Sequence, residues 1–345
     1  MDRYADAHFL RRGPGDDRPT ALQVVLDEIK ARTTPLQELI IVITGANSGL
    51  GFQTAKALAV TGARLLLTAR NVAVGEEAAR LITADPGTVS KTIEVVKLDL
   101  DSLQSVREAT AEISSKTDKV NVLINNAGIA VAPEGITKDG FERHWGVNYM
   151  GPFLFTYNLL PLLTKGSHPR FRSRIVNVSS TGHRLFPIHL EDPNNEQERP
   201  YDPMSAYATS KLANVLHANY LDKMLSPTGV RAVSLHPGTV METQLLRNVQ
   251  ATPSQAEETI PALTDGETGE YKSAEQGAAT IVFAAIAECL EDKGGLYLEN
   301  CTVGKEAPQD LGPLDGGYSK EAFDEAAAEK LWKLTCQQLN LQDEI

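Results

Sequence analysis

LIIVITGANSGLG, residues 39–51, is the stretch on which the fold turns. Its first six residues are apolar or β-branched without polar alternation, as in a strand buried on both faces. Glycines then stand at 45, 49 and 51. A residue without Cβ permits a tight turn and lets a ligand approach the backbone closely. From residue 49 onward the pattern becomes helical. A helix that starts there offers free N–H groups and a positive dipole end to a pyrophosphate. A glycine turn alone carries little weight. Its place after a strand, before a helix and at the head of a longer series is what points to a nucleotide.

The series continues along the chain. Short apolar runs at 64–69, 92–98, 120–125, 174–179, 230–235 and 295–299 have the length and branching of buried strands. Helical patterns fill the intervals at about 49–60, 72–84, 102–117, 137–165, 205–225 and 273–289. Alternation of this kind predicts an α/β fold, a doubly wound, Rossmann-type parallel sheet of about seven strands covered on both faces. Residues 39–300 form this domain. Residues 1–38 are an N-terminal extension whose helical arm carries Leu22, Val25, Leu26 and Ile29 on one stripe. Residues 301–345 are a C-terminal tail with a helix packed on the domain. Two Pro- and charge-rich stretches, 184–204 and 247–272, break the alternation and leave strand C-termini, as lids do.

The formal charge of −12 argues against a broad nucleic-acid surface, which needs a basic stripe. The basic run HPRFRSR, His168–Arg174, reads as a solvated loop. Cys289, Cys301 and Cys336 are far apart, and no His or Cys spacing suggests a metal. The N-terminus lacks an apolar signal region, and no apolar run approaches the roughly 20 residues that span a bilayer. A cytoplasmic location is the expectation.

The second strand ends LLLTARN. Folds of this type place an acid there when the adenosine ribose keeps its 2′-hydroxyl. Here Ala69 and Arg70 take that end, and a guanidinium suits a 2′-phosphate. NADP(H) is therefore expected over NAD(H). After the third strand, KLDL places Asp99 and Leu100 near the adenine. A helix cap is the competing role, weightier for Asp101 than for Asp99.

YATSK sets Tyr207 and Lys211 one helical turn apart, on one face if the segment is helical. An ammonium there would lower the phenol's pKa from about 10 and make it a better acid/base catalyst.

Taken in order, TGANSGLG, NNAG (Asn125–Gly128), Asn148 in GVN, NVSS, YATSK and HPG (His236–Gly238) resemble the short-chain dehydrogenase/reductase superfamily. The likeness spans about residues 39–300. SAYATSKLANVLHANYL and the insert before Tyr207 resemble its retinol-dehydrogenase-like, carbonyl-reductase-like and protochlorophyllide-reductase-like branch. RPTALQVVLDE and GGLYLEN are similar to fungal members, often reductases of specialised metabolism. The resemblance implies that Tyr207 is the acid/base and that Lys211 lowers its pKa and binds the nicotinamide ribose. It implies that Ser180 bonds the substrate oxygen and Asn148 holds a water behind Lys211. Ser179 is the neighbour from which Ser180 has to be told apart. The implied cofactor residues begin with Gly45, Asn47, Ser48, Gly49, Leu50 and Gly51 of the turn. Asn126, Ala127 and Gly128, with Asn125 beside them, shape the nicotinamide side, and Pro237 and Gly238 line it. One departure stands out. Glu242 takes the offset at which the family has a threonine after the Pro-Gly pair, so Thr239 or Thr243 replaces it.

The expected function is reduction of a ketone or aldehyde, or oxidation of the matching alcohol, on a bulky, apolar small molecule. Leu185, Phe186, Ile188, Met204, Leu245 and Leu246 carry the apolar hint. A non-redox dehydratase, isomerase or cyclase on the same scaffold is the alternative, with an NADP-binding regulatory protein behind it. A homodimer through the helices of Asn148 and Tyr207 is one assembly the resemblance allows.

Overall fold

Strand β1 (Ile40–Thr44) runs through the middle of the sheet, with β2 (Arg64–Ala69) parallel on one side and β4 (Val122–Asn125) parallel on the other. In this computed structural model, residues 3–184, 189–194, 200–246, 271–308 and 316–343 are described. The sheet order is β3-β2-β1-β4-β5-β6-β7-β8, with β3 at Ile93–Lys97, β5 at Arg174–Val178, β6 at Arg231–His236 and β7 at Leu296–Glu299. The chain reverses its winding between β1 and β4, which opens a crevice at the C-terminal ends of the strands. The expected seven strands are parallel; an eighth, β8 (Thr302–Val303), pairs antiparallel with β7. Asn300 and Cys301 turn this hairpin with φ of 51° and 56°. Two residues are too few to show a strand pattern in a sequence.

Helices cover both faces. Ile41, Ile43, Leu65 and Leu67 pack under α1 (Ala21–Ala31), α2 (Gly49–Ala59) and α3 (Val72–Thr83). Val42, Leu66 and Leu123 face the other core, with α4 (Leu103–Lys116), the short α5 (Arg143–Trp145) and α6 (Gly151–Gly166). Helix α7 (Pro203–Leu225) joins that second core, and α8 (Ala274–Ile286) joins the first. Side chains cap most helix starts: Thr20, Asn71, Ser102 and Asp202 each accept from backbone N–H groups. Ser102, and not Asp101, is thus the cap of α4. Helix α2 differs, because Ser48 makes no side-chain cap bond.

The arm α1 lies on α8, but on another face than its apolar stripe suggests. Ala21, Val24, Val25 and Glu28 are buried, whereas Leu22, Leu26 and Ile29 are 46%, 38% and 43% exposed. Glu28 decides the rotation. Its carboxylate accepts from the Glu288 N–H at 2.8 Å and pairs with Arg3 at 3.0 Å. The run 168–174 is likewise no simple solvated loop. Arg174 is buried, pairs with Glu291 at 3.1 Å and lies 5.2 Å over the Phe171 ring.

The last helix, α9 (Glu325–Leu339), packs on α7 and α6. Trp332 stacks on Tyr220 at 5.3 Å and tilts onto Phe153 at 4.8 Å, and Tyr149 bonds Thr335 at 2.9 Å. Among the described residues no helix is long and apolar enough to cross a membrane.

Candidate active site

A cleft of about 790 Å³ follows the C-terminal edge of the sheet from Arg70 at one end to Ser180 and Tyr207 at the other. The turn after β1 forms its floor. Gly45 adopts φ +65°, and a Cβ on Gly51 would lie 2.3 Å from the Gly45 carbonyl oxygen. A Cβ has no room at Gly51, and Gly45 holds a backbone conformation that side chains rarely adopt. Ser48 makes no side-chain cap bond to the first N–H groups of α2, and Gly49, Leu50 and Gly51 line the cleft. These features fit a bound diphosphate. Asn126 closes the floor by donating to the Thr44 carbonyl at 2.9 Å.

At the far end, Arg70 is exposed and makes no hydrogen bond or ion pair among the described residues. Asp99 lines the cleft and pairs with Lys138 at 2.8 Å; Leu100 is beside it.

Helix α7 brings Tyr207 and Lys211 to the opposite end, with Nζ 5.6 Å from the phenol ring centre. Lys211 donates to the Val178 carbonyl at 2.9 Å. A Cβ on Gly128 would come within 3.5 Å of that ammonium and 3.1 Å of Asn148 Oδ1, so glycine lets all three groups meet. Burial pushes the Tyr207 phenol up to about 12, and the Ser180 hydroxyl bonded to it pulls the other way. Burial also pushes the Lys211 ammonium down to about 8. Desolvation disfavours both charged forms, so in the free protein the phenol is raised and not lowered.

Ser179 and Ser180 part company here. The buried Ser179 hydroxyl donates to the Lys211 carbonyl at 2.7 Å and so holds the helix, while the partly exposed Ser180 hydroxyl meets Tyr207. His183 bonds the Ser180 carbonyl through Nδ1 and accepts from the Ser319 N–H at 3.2 Å, which ties the C-terminal segment to the serine. Burial lowers His183 to about 4, so its ring is neutral.

Asn148 does not line the cleft. It sits behind it in a π-helical turn, Gly146–Met150, between α5 and α6. Its amide donates to the Ile129 carbonyl at 2.9 Å and to Ser210 at 2.9 Å, and its oxygen accepts from the Ile129 N–H at 2.8 Å. Wide turns of this kind recur at functional sites. Asn125 is also behind the cleft, bonded to Thr156 and Asn177 at 2.8 and 2.9 Å.

Pro237 and Gly238 border the cleft, but Thr239 does not; its carbonyl accepts from the Lys272 N–H at 2.9 Å. Thr243 lines the cleft instead, opposite Gly49. Glu242 turns away, and its carboxylate caps α8 at Ala274. The threonine at the cleft edge is therefore Thr243, one position past Glu242.

Sequence reading missed Ile129, Pro133, Arg143 and Val147, which all border the cleft. Arg143 and Val147 stand one helical turn apart just before Asn148, and that spacing was the available signal. Ala130 and Val131 pack on Tyr207, joined by Met204, Met241 and Leu245. Residues 185–188, 247–270 and the Leu246 side chain lie outside the described residues.

The sequence and the fold both have relatives. Residues 39–190 match the family model for short chain dehydrogenase. The chain is 38% identical over 343 residues to the short-chain dehydrogenase/reductase prx1 of Penicillium roqueforti, covering 99% of this chain and 96% of that protein. It is 38% identical over 303 residues to retinol dehydrogenase 12 of Mus musculus, covering 88% and 87%. A crystal structure of an uncharacterized protein from Mycobacterium paratuberculosis superposes with a TM-score of 0.65 at 33% identity, covering 89% and 96%. With its doubly wound sheet, glycine turn and Ser–Tyr–Lys cluster, the chain belongs to the short-chain dehydrogenase/reductase family, in its retinol-dehydrogenase-like branch.

Proposed function

We propose that this protein is an NADP(H)-dependent oxidoreductase that reduces a ketone or aldehyde of a bulky, apolar small molecule, or oxidises the matching alcohol. The observation that carries the reading is the meeting of Ser180, Tyr207 and Lys211 at one end of a cleft whose other end holds Arg70, which has no partner among the described residues. NADP(H) would be held by the Gly45–Gly51 turn, by Arg70 at the 2′-phosphate, and by Asn126, Ala127, Gly128, Pro237 and Thr243 along the nicotinamide half. When bound, the reduced nicotinamide supplies a hydride.

The chain's own residues do the rest. Ser180 and Tyr207 donate hydrogen bonds to the carbonyl oxygen as negative charge develops there. Tyr207 gives up its proton to the nascent alkoxide. Lys211 stabilises the phenolate that remains. Asn148 and Gly128 keep the path behind Lys211 polar and open, and a water there would return the proton. Ala130, Val131, Met204, Met241 and Leu245 make the wall beside Tyr207 apolar, which favours a substrate of like surface.

NADPH oxidation against ketones, aldehydes and quinones tests this reading. Wild type should turn over part of the panel. Tyr207→Phe should lose a factor of about 10² to 10⁴ in kcat and still bind NADPH. Retained turnover in the variant would remove Tyr207 from the chemistry. Tight NADPH binding with no consumption would favour a non-redox reaction.

A further inference from the structure

Val131 has φ of 49°, a left-handed conformation that β-branched residues avoid. Asn300, Cys301 and Asn340 share positive φ, but each sits in a hairpin turn or a helix C-cap that calls for it. Val131 has no such excuse, and it packs directly on Tyr207. Strain of this kind persists only where the surroundings over-determine it.

Both flanks of Val131 are pinned. On one side, Ile129 is bonded through N–H and C=O to Asn148. On the other, the Ala132 N–H donates to His144 Nε2 at 3.0 Å. Nε2 is therefore the acceptor, so Nδ1 carries the proton and donates it to Glu142 Oε1 at 2.9 Å. Tyr201 donates its hydroxyl to that same oxygen at 2.9 Å. Glu142 Oε2 accepts from the Trp145 N–H at 2.7 Å, and the Glu142 N–H donates to Asn194 at 3.1 Å. His144 is fully buried. Asn194 and Tyr201 both come from the insert ahead of α7, so insert and cleft wall meet at this one junction.

We propose that Glu142, His144 and Tyr201 are positioning residues that clamp the Val131 wall against Tyr207 and thereby select which carbonyl substrates reach its hydroxyl. The clamp touches neither substrate nor cofactor. This rests on the reduction proposed above.

The test compares full-length wild type with His144→Ala, His144→Gln, Tyr201→Phe and Val131→Gly. Amide hydrogen exchange of the 129–133 segment is read beside KM, kcat and NADPH affinity. In His144→Ala, exchange at Ala132 should accelerate about tenfold or more, since its acceptor is gone. KM for bulky substrates should rise by about tenfold, with NADPH affinity held within about twofold. His144→Gln should restore much of both, because its amide oxygen can take the Nε2 position. Val131→Gly should keep Ala132 protected, being at ease at positive φ, and still lose discrimination between bulky and small ketones. Tyr201→Phe removes one donor and serves where His144→Ala does not fold; it should shift exchange and KM in the same sense. Unchanged exchange and KM in the folded His144 or Tyr201 variants would overturn the clamp. Should wild type consume no NADPH, or Tyr207→Phe stay active, the reduction reading fails while the exchange data still decide whether the clamp exists.

Discussion

At Tyr207 two effects oppose each other. The Ser180 hydrogen bond favours phenolate, and burial favours phenol; burial wins, with the phenol at about 12. The free protein should therefore show no tyrosinate absorbance assignable to Tyr207 below pH 10, in a difference titration against Tyr207→Phe. A wild-type-specific signal below pH 9 would contradict this. A cationic nicotinamide beside the ring adds the charge that burial withholds, so NADP+ should bring that ionisation down and NADPH should not. Arg70 works at the same scale. A guanidinium without a partner among the described residues gives up no bond of theirs on meeting a phosphate. Arg70→Ala should weaken NADPH by about tenfold to a hundredfold and leave NADH unchanged, as read by fluorescence titration. His183 and His217 carry a stability cost in acid. Burial lowers them from 6.5 to about 4 and about 3, so both are neutral when folded. Below 6.5 the unfolded chain takes up protons that the folded one refuses. Stability should then fall as pH drops from 6.5 towards 4, by about 1.4 kcal/mol per pH unit for each ring. Urea unfolding at stepped pH checks this; His217→Phe should flatten the slope by one ring's share.

At the scale of elements, the strands were legible because a run buried on both faces needs no knowledge of its neighbours. LIIVIT reads the same in any partner context, and the helix that follows it starts where its glycines say. The rotation of α1 was not legible. Apolar residues surround that helix, and the choice among faces falls to Glu28, whose partner N–H belongs to Glu288 far along the chain. The junction at His144 escaped for the same reason, since its bonds from Ala132 to His144 and from Tyr201 to Glu142 join residues 12 and 59 apart. Thr243 was ambiguous until Glu242 was seen to cap α8. In the site itself, Tyr207, Lys211 and the glycine turn stood out by spacing and Ser180 by the family resemblance; of the apolar wall, Met204 and Leu245 were named from the sequence, whereas Ala130, Val131 and Met241 were not. The clearest element-level test is α9. Trp332 is buried against Phe153, His217 and Tyr220. Trp332→Ala should cost about 3–5 kcal/mol in urea unfolding. A loss under about 1 kcal/mol would mean that α9 does not hold this face closed.

For the whole molecule, that helix bears on assembly. Contacts from Trp332, Thr335 and the chain beyond them cover the outer side of α6 and α7. A dimer through the parts of those helices that α9 covers would have to displace α9. Sedimentation at micromolar protein should find no dimer built on this face, and crosslinks between α6 or α7 of two copies would contradict it. The architecture as a whole places the glycine turn, the exposed Arg70 guanidinium and the Ser180–Tyr207 pair along one crevice. Such a line of groups makes sense if hydride passes from one end of a dinucleotide to a carbonyl held at Tyr207. The most direct measurement uses NADPH deuterated at the transferable C4 position, with a carbonyl substrate from the panel, followed by mass analysis of the product. Deuterium on the carbinol carbon with wild type, and the same product formed about 10² to 10⁴ times more slowly with Tyr207→Phe, is the result expected. Product formed without deuterium, or deuterated product made equally well by the variant, would contradict the account.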